Sequence, residues 1–145
     1  MIDLKRLKDI REDNDISQES MANILGVNRS TYSMWELEMN VIPLDVLCDF
    51  ADYFNVSIDY VLGLTNNKNS KSIIKGLNLK VLGSNLKKLR NKNNVSQEYI
   101  GNMLGLTQAC IARYEKGLGK ISIISVYKLS KEFKVSVSAL CGKTK

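Results

Sequence analysis

The twenty residues Ser17–Glu36 (SQESMANILGVNRSTYSMWE) recur 79 positions later as Ser96–Glu115 (SQEYIGNMLGLTQACIARYE). A chain that carries one such pattern twice must build the same local structure twice. Each copy fits two short helices joined by a tight turn at a glycine. Ser17 and Ser96 are residues that cap a helix start, and Glu19 and Glu98 follow where negative charge favours the positive end of the helix dipole. Met21 and Leu25, like Ile100 and Leu104, stand four apart and share one face. Ala22 and Gly101 between them are small enough for a crossing helix to approach closely. Gly26 and Gly105 come where the first helix must stop, because glycine enters the left-handed conformation without a side-chain clash. Asn28 and Thr107 can then cap the second helix, whose inward stripe is Tyr32 with Trp35, or Ile111 with Tyr114.

The opposite face of that second helix is polar or small. It carries Arg29, Ser30 and Ser33 in the first copy and Gln108, Ala109, Ala112 and Arg113 in the second. Arginine pairs with guanine through two hydrogen bonds, glutamine with adenine, and an alanine or threonine methyl meets a thymine methyl. A face of this kind suits the major groove of duplex DNA.

At these residues the chain resembles the Cro and phage-repressor type of helix-turn-helix, also called the XRE family. The resemblance rests on Ser-Gln-Glu, the small residue at Ala22 or Gly101, the glycine, and the aromatic-Glu ending. It extends through the preceding helix (Leu7, Ile10, Arg11; Leu86, Leu89, Arg90) and the later Phe54-Asn-Val-Ser and Phe133-Lys-Val-Ser. Residues 5 to 65 align with 84 to 144 without a gap, with 17 identities in 61 pairs. The resemblance implies an all-α chain of two tandem five-helix, lambda-repressor-like domains joined by a short linker. Residues 1–65 form the first domain, 66–78 the linker and 79–145 the second.

It also implies roles. Gln18 and Gln97 stand where the family's glutamine approaches backbone phosphate and braces the reading helix. The reading residues would be Asn28, Arg29, Ser30 and Ser33, and in the second copy Thr107, Gln108, Ala109, Ala112 and Arg113, with Lys116 beside them. Arg11 with Glu36, and Arg90 with Glu115, match a pair that ties the first helix to the reading helix.

Chain order supports the plan. Leu4, Leu7 and Ile10 give a first helix over residues 3–14 an inner face, and Pro43 suits the first turn of a fourth helix bearing Leu47, Phe50, Ala51 and Phe54. Ser57 can cap a fifth, closed by Gly63. Residues 37–42 read as a loop, and Asn66–Ser72 (NNKNSKS) as a linker. The second copy lacks a proline near Ser122 and the equivalents of Asp59 and Tyr60. About thirteen residues between Thr65 and Leu79 would reach roughly 43 Å when extended. That exceeds the roughly 34 Å of one duplex turn.

At 145 residues and 44% apolar content, the chain can bury two small cores. No apolar run approaches the roughly 18 residues of a membrane span, and MIDLKRLKDIRED is not a signal peptide, so a cytoplasmic location is expected. Cys48, Cys110 and Cys141 are widely spaced and histidine is absent, a composition that speaks against a zinc site, a disulfide framework or an enzyme of nucleophile-histidine type. No cofactor is expected.

The net charge of +6 conceals a division. Residues 1–66 hold five Lys and Arg against twelve Asp and Glu, a net −7, whereas residues 67–145 hold sixteen against three, a net +13. Lys87, Lys88, Lys92, Lys120, Lys128, Lys131 and Lys134 add to Arg113 and Lys116 in the second half, which favours a polyanion. Double-stranded DNA is therefore the expected partner of that half, and transcriptional regulation, as a repressor, the expected function. The acidic first half has two open roles: a weaker DNA reader, or a pairing module for a second subunit, another protein or the basic second half, as in an antitoxin or anti-repressor.

Overall fold

Helix caps divide the chain. In the computed structural model, which describes residues 2–69 and 74–143, the helices are α1 (Lys5–Asp13), α2 (Gln18–Leu25), α3 (Arg29–Glu36), α4 (Leu44–Tyr53) and α5 (Ile58–Val61), followed by α6 (Leu79–Lys92), α7 (Gln97–Leu104), α8 (Gln108–Glu115), α9 (Ile123–Phe133) and α10 (Val137–Leu140). The side chains of Ser17, Asn28, Ser57, Ser96, Thr107, Ser122 and Ser136 each accept the backbone N–H three residues on. Such a cap contributes about 1 kcal/mol. Gly26 and Gly105, at φ 74° and 71°, end α2 and α7 in the left-handed conformation. Pro43 sits one residue before α4, at its cap, rather than within the first turn.

The chain resolves into two units, Met1–Lys71 and Ser72–Lys145. Leu7, Met21, Tyr32, Leu47, Phe50 and Ile58 are fully buried in the first, and Leu82, Leu86, Ile100 and Ile111 in the second. The segment read as a loop holds a core anchor in both copies: Ile42 is buried, and so is Ile121, the identical residue at the matching position.

The second unit departs from the first in its opening helix. α6 begins five residues earlier, by alignment, than α1. Its added turn crosses the end of α8 at Gly83, where a β-carbon would run into the Tyr114 carbonyl oxygen and come within 2.9 Å of the Glu115 carbonyl oxygen. Gly117 makes room in turn for Lys80, whose Cα would lie 2.9 Å from a β-carbon there.

Long polar side chains tie each unit to its flank. In the first, the Arg6 guanidinium donates to the Tyr60 and Thr65 carbonyls (2.7 and 2.6 Å) and to Asn66 Oδ1 (2.8 Å), and stacks 4.0 Å over the Tyr60 ring. Asn85, its counterpart, donates to the Ala139 and Leu140 carbonyls. Ser57 N–H donates to the Lys68 carbonyl, and Val56 forms an isolated antiparallel bridge with Asn69. In the second unit, the buried Lys143 donates to the carbonyls of Ile74 (3.1 Å) and Gly76 (2.8 Å), and Asn78 caps α6. Of the segment read as a linker, residues 70–73 lie outside the described residues.

Candidate nucleic-acid interface

Helices α3 and α8, the expected reading helices, are held to their units by one repeated network. Arg11 Nε and Nη2 donate to Glu36 Oε2 and Oε1 at 2.7 and 3.0 Å, and Nη1 donates to the Ile16 carbonyl at 2.7 Å. Gln18 Nε2 adds a bond to Glu36 Oε1 at 3.0 Å. Arg90, Glu115, the Val95 carbonyl and Gln97 repeat the arrangement at 2.7 to 3.3 Å. Each carboxylate, at the end of its reading helix, thus joins three helices by charge-assisted, two-pronged bonding. Burial pushes the Glu36 carboxyl up, and hydrogen bonds led by that from Arg11 more than reverse it, leaving the group below its ordinary value. The bonds to Glu36 and Glu115 raise Arg11 and Arg90.

The copies differ inside this network. Tyr32 packs edge-on against Trp35, with ring centroids 6.1 Å apart, and its buried hydroxyl has no hydrogen-bond partner among the described residues; burial above all raises its pKa far above the ordinary value. The second copy places Ile111 there. Tyr32→Phe removes an unsatisfied buried group, and is expected to leave the first unit as stable or to stabilise it by up to about 1 kcal/mol. A lower urea midpoint for the variant would show that the hydroxyl is bonded after all.

The expected reading residues fall on one outward strip of each copy. Arg29 and Ser30 are exposed and Ser33 is half-buried on α3; Gln108, Ala109 and Arg113 are exposed and Ala112 is half-buried on α8. Lys116 is exposed just past the end of α8. Asn28 and Thr107 are caps, with Asn28 Oδ1 accepting from Thr31 N–H at 2.8 Å and Thr107 Oγ1 from Cys110 N–H at 3.1 Å. Gln18 and Gln97 are half-buried with their amides on Glu36 and Glu115. In the second copy Gln108 Nε2 reaches Gln97 Oε1 at 3.4 Å, which carries the network onto the strip itself. Tyr114 and Trp35 pack inward, Tyr114 half-buried and Trp35 buried.

Beside α3, a shallow groove is lined by Arg29, Ser30, Thr31, Ser33, Met34 and Asn40, without a carboxylate. Asp9, Glu12 and Asp13 are exposed on α1, and Asp15 just beyond it. One feature escapes a reading of either copy alone. Met34, Leu37 and Val41 align with Arg113, Lys116 and Lys120, so three apolar positions in the first copy are cationic in the second. Leu37, Met39 and Val41 are 64%, 65% and 53% exposed. Laying one copy over the other supplies the signal.

Among the described residues no cluster of three His, Cys, Asp or Glu side chains is placed to hold a metal ion, and no helix is long and apolar enough to cross a membrane. Cys48 and Cys141 are buried and Cys110 half-buried, and no disulfide joins them.

The helix-turn-helix family model matches residues 7–61 and again 86–140. Over 67 residues the chain is 36% identical to YobD of Bacillus subtilis (strain 168), an uncharacterized HTH-type transcriptional regulator, a match covering 46% of this chain and 60% of that one. A second uncharacterized HTH-type transcriptional regulator of that organism, YqaE, is 32% identical over 65 residues, covering 44% and 56%. The chain thus spans somewhat under two thirds of the length of either relative. Among solved structures, the restriction-modification controller protein C.AhdI from Aeromonas hydrophila matches 43% of this chain and 94% of its own at 26% identity and a TM-score of 0.40.

Proposed function

The chain belongs to the helix-turn-helix family, matched by both of its repeats, and we propose from that premise that it is a sequence-specific, double-stranded DNA-binding transcriptional regulator. Its readers are α3 and α8 within domains 1–65 and 79–145, joined through residues 66–78. It acts as a repressor by occupying an operator. The observation that carries this reading is the outward strip of α8, Gln108, Ala109, Ala112 and Arg113, held to α6 and α7 by the Arg90–Glu115–Gln97 network and followed by the exposed Lys116. Gln18 and Gln97 brace the strips, and Asn28, Thr107, Arg29, Ser30 and Ser33 complete the reading set.

Two non-identical readers in one chain favour an asymmetric site, whereas a homodimer would impose a palindrome. Selection of sites from a random DNA pool with the full chain tests both; recovery of no preferred sequence overturns the proposal. On a selected site, Arg113→Ala is expected to relax preference at one position and cost about 1 to 3 kcal/mol. Unchanged preference removes Arg113 from the reading set. Lys87→Ala with Lys88→Ala is expected to weaken binding to all sequences alike and flatten the salt dependence, each lost phosphate contact lowering the slope by about one.

One observation favours a second role for the first domain. Its exposed Leu37, Met39 and Val41 replace the lysines of the second copy at two of three positions, and its net charge is −7. In this reading the domain pairs with a protein, in the manner of an antitoxin or anti-repressor. Leu37→Lys with Val41→Lys separates the roles. A DNA-reading domain gains affinity for duplex, whereas a pairing domain loses its association in solution without gaining any.

A further inference from the structure

The connection between the two units is shortened from both ends. Arg6 fixes Thr65 and Asn66 by one hydrogen bond each, and beyond them Lys68 and Asn69 are held against Ser57 and Val56. On the other side the buried Lys143 ammonium grips the carbonyls of Ile74 and Gly76. From Asn69 to Ile74 there are five backbone steps, which reach at most about 18 Å. With both clamps open, and with them the Ser57–Lys68 and Val56–Asn69 pairings that follow the Arg6 clamp along the chain, the thirteen residues between Thr65 and Leu79 would reach roughly 43 Å.

We infer that Arg6 and Lys143 are spacing determinants: by holding the ends of the connecting segment, they restrict the separation between two half-sites that one chain can occupy together. The inference rests on the proposed tandem reading of DNA. Five added base pairs lengthen the gap by about 17 Å and turn the second half-site to the opposite face of the duplex. That increment is nearly the full reach of the clamped segment. A tether that cannot span its sites forfeits the second unit's contribution, about 10²- to 10⁴-fold in avidity.

The test uses the full chain, Arg6→Gln, Lys143→Gln, and a chain with six Gly-Ser residues inserted within 70–73 and both clamps intact. The first readout is affinity for duplexes carrying the selected half-sites at spacings increased by zero to ten base pairs. The native chain is expected to lose about 10²-fold or more at five added pairs, while the three altered chains lose markedly less and keep their half-site preferences. The second readout needs no DNA. Labels on Asp9→Cys and Lys128→Cys, with Cys110→Ser, report the distance distribution between units, which is expected to broaden in all three altered chains. The inference is overturned by a native spacing profile as broad as that of the inserted chain, or by clamp variants whose profile and distance distribution match the native ones. Failure to recover any bipartite site would instead overturn tandem reading, and the label distances would still judge the clamps.

Discussion

Glu36→Ala is expected to remove a large share of the first unit's stability while leaving that of the second unchanged. The substitution strands the Arg11 guanidinium in a place where the residue is only 7% exposed, with the Ile16 carbonyl as its remaining partner, and it releases the Gln18 amide. Removing one member of a buried ion pair costs about 3 to 5 kcal/mol, because the other charge stays desolvated. A unit of this size has a total stability of only about 3 to 10 kcal/mol. Calorimetry of the variant should show one transition near its native position and the other lowered or lost. Two native transitions would mean that the pair contributes little. Replacing both partners by apolar residues of similar volume, Arg11→Met with Glu36→Leu, should recover much of the loss, since the cost lies in the orphaned charge more than in the missing attraction.

The same carboxylate carries a pH dependence of definite sign. Its folded pKa lies below the ordinary value, so its contribution is fully present above the unfolded glutamate value of about 4.3 and is lost as pH falls through the folded value. Melting of the first unit between pH 3 and pH 6 should therefore steepen toward acid in the native chain. Glu36→Gln should flatten that part of the curve.

Gly83→Val is expected to have a comparable effect on the second unit. The obstructing atoms are the Tyr114 and Glu115 carbonyls, at the end of α8. Backbone cannot rotate aside as a side chain can. Overpacking costs about 1 to 3 kcal/mol and occasionally more, and a branched side chain set against fixed carbonyls belongs at the upper end. The displacement would fall on the reading helix, so DNA affinity should drop even in protein that remains folded. A variant with native melting and native affinity would show that α6 slides freely over α8. Gly101 offers a milder control. A β-carbon there would lie 2.7 Å from the Leu106 carbonyl oxygen, yet Ala22 occupies the matching place in the first unit and is buried.

These residues mark what could be read from the chain before its structure. Caps at Ser17, Asn28, Ser57, Ser96 and Thr107 and the stops at Gly26 and Gly105 follow from local chemistry, both Arg–Glu pairs follow from the family resemblance, and each is present. Gly83 was not legible, because its role depends on where α6 crosses α8, and a glycine within a helical pattern signals only a local cost. Ile42 and Ile121 were missed for a different reason: helical periodicity says nothing of an apolar residue between helices. Identity at the same position in both copies was the available clue. The clamps of Arg6 and Lys143 were hidden because all their acceptors but Asn66 Oδ1 are main-chain carbonyls, which no side-chain pattern announces. For the strips, exposure of Arg29, Ser30, Gln108, Ala109 and Arg113 follows from helical phase; the exchange of Met34, Leu37 and Val41 for cations emerges only when the copies are superposed.

Five left-handed backbone positions coincide between the units, three of them where the residues differ, whereas Gly119 at φ 82° has no left-handed counterpart in the first unit. Asp15 and Asn94, Glu38 and Gly117, and Asn55 and Lys134 all have φ between 53° and 77°. Four of the five non-glycine residues in this set align with another non-glycine, and three of the five are Asp or Asn, whose short side chains tolerate this conformation. A duplicated frame of this kind carries its own spare. In the proposed reading of DNA, exchanging residues 29–34 for residues 108–113 amounts to swapping cassettes in a common housing.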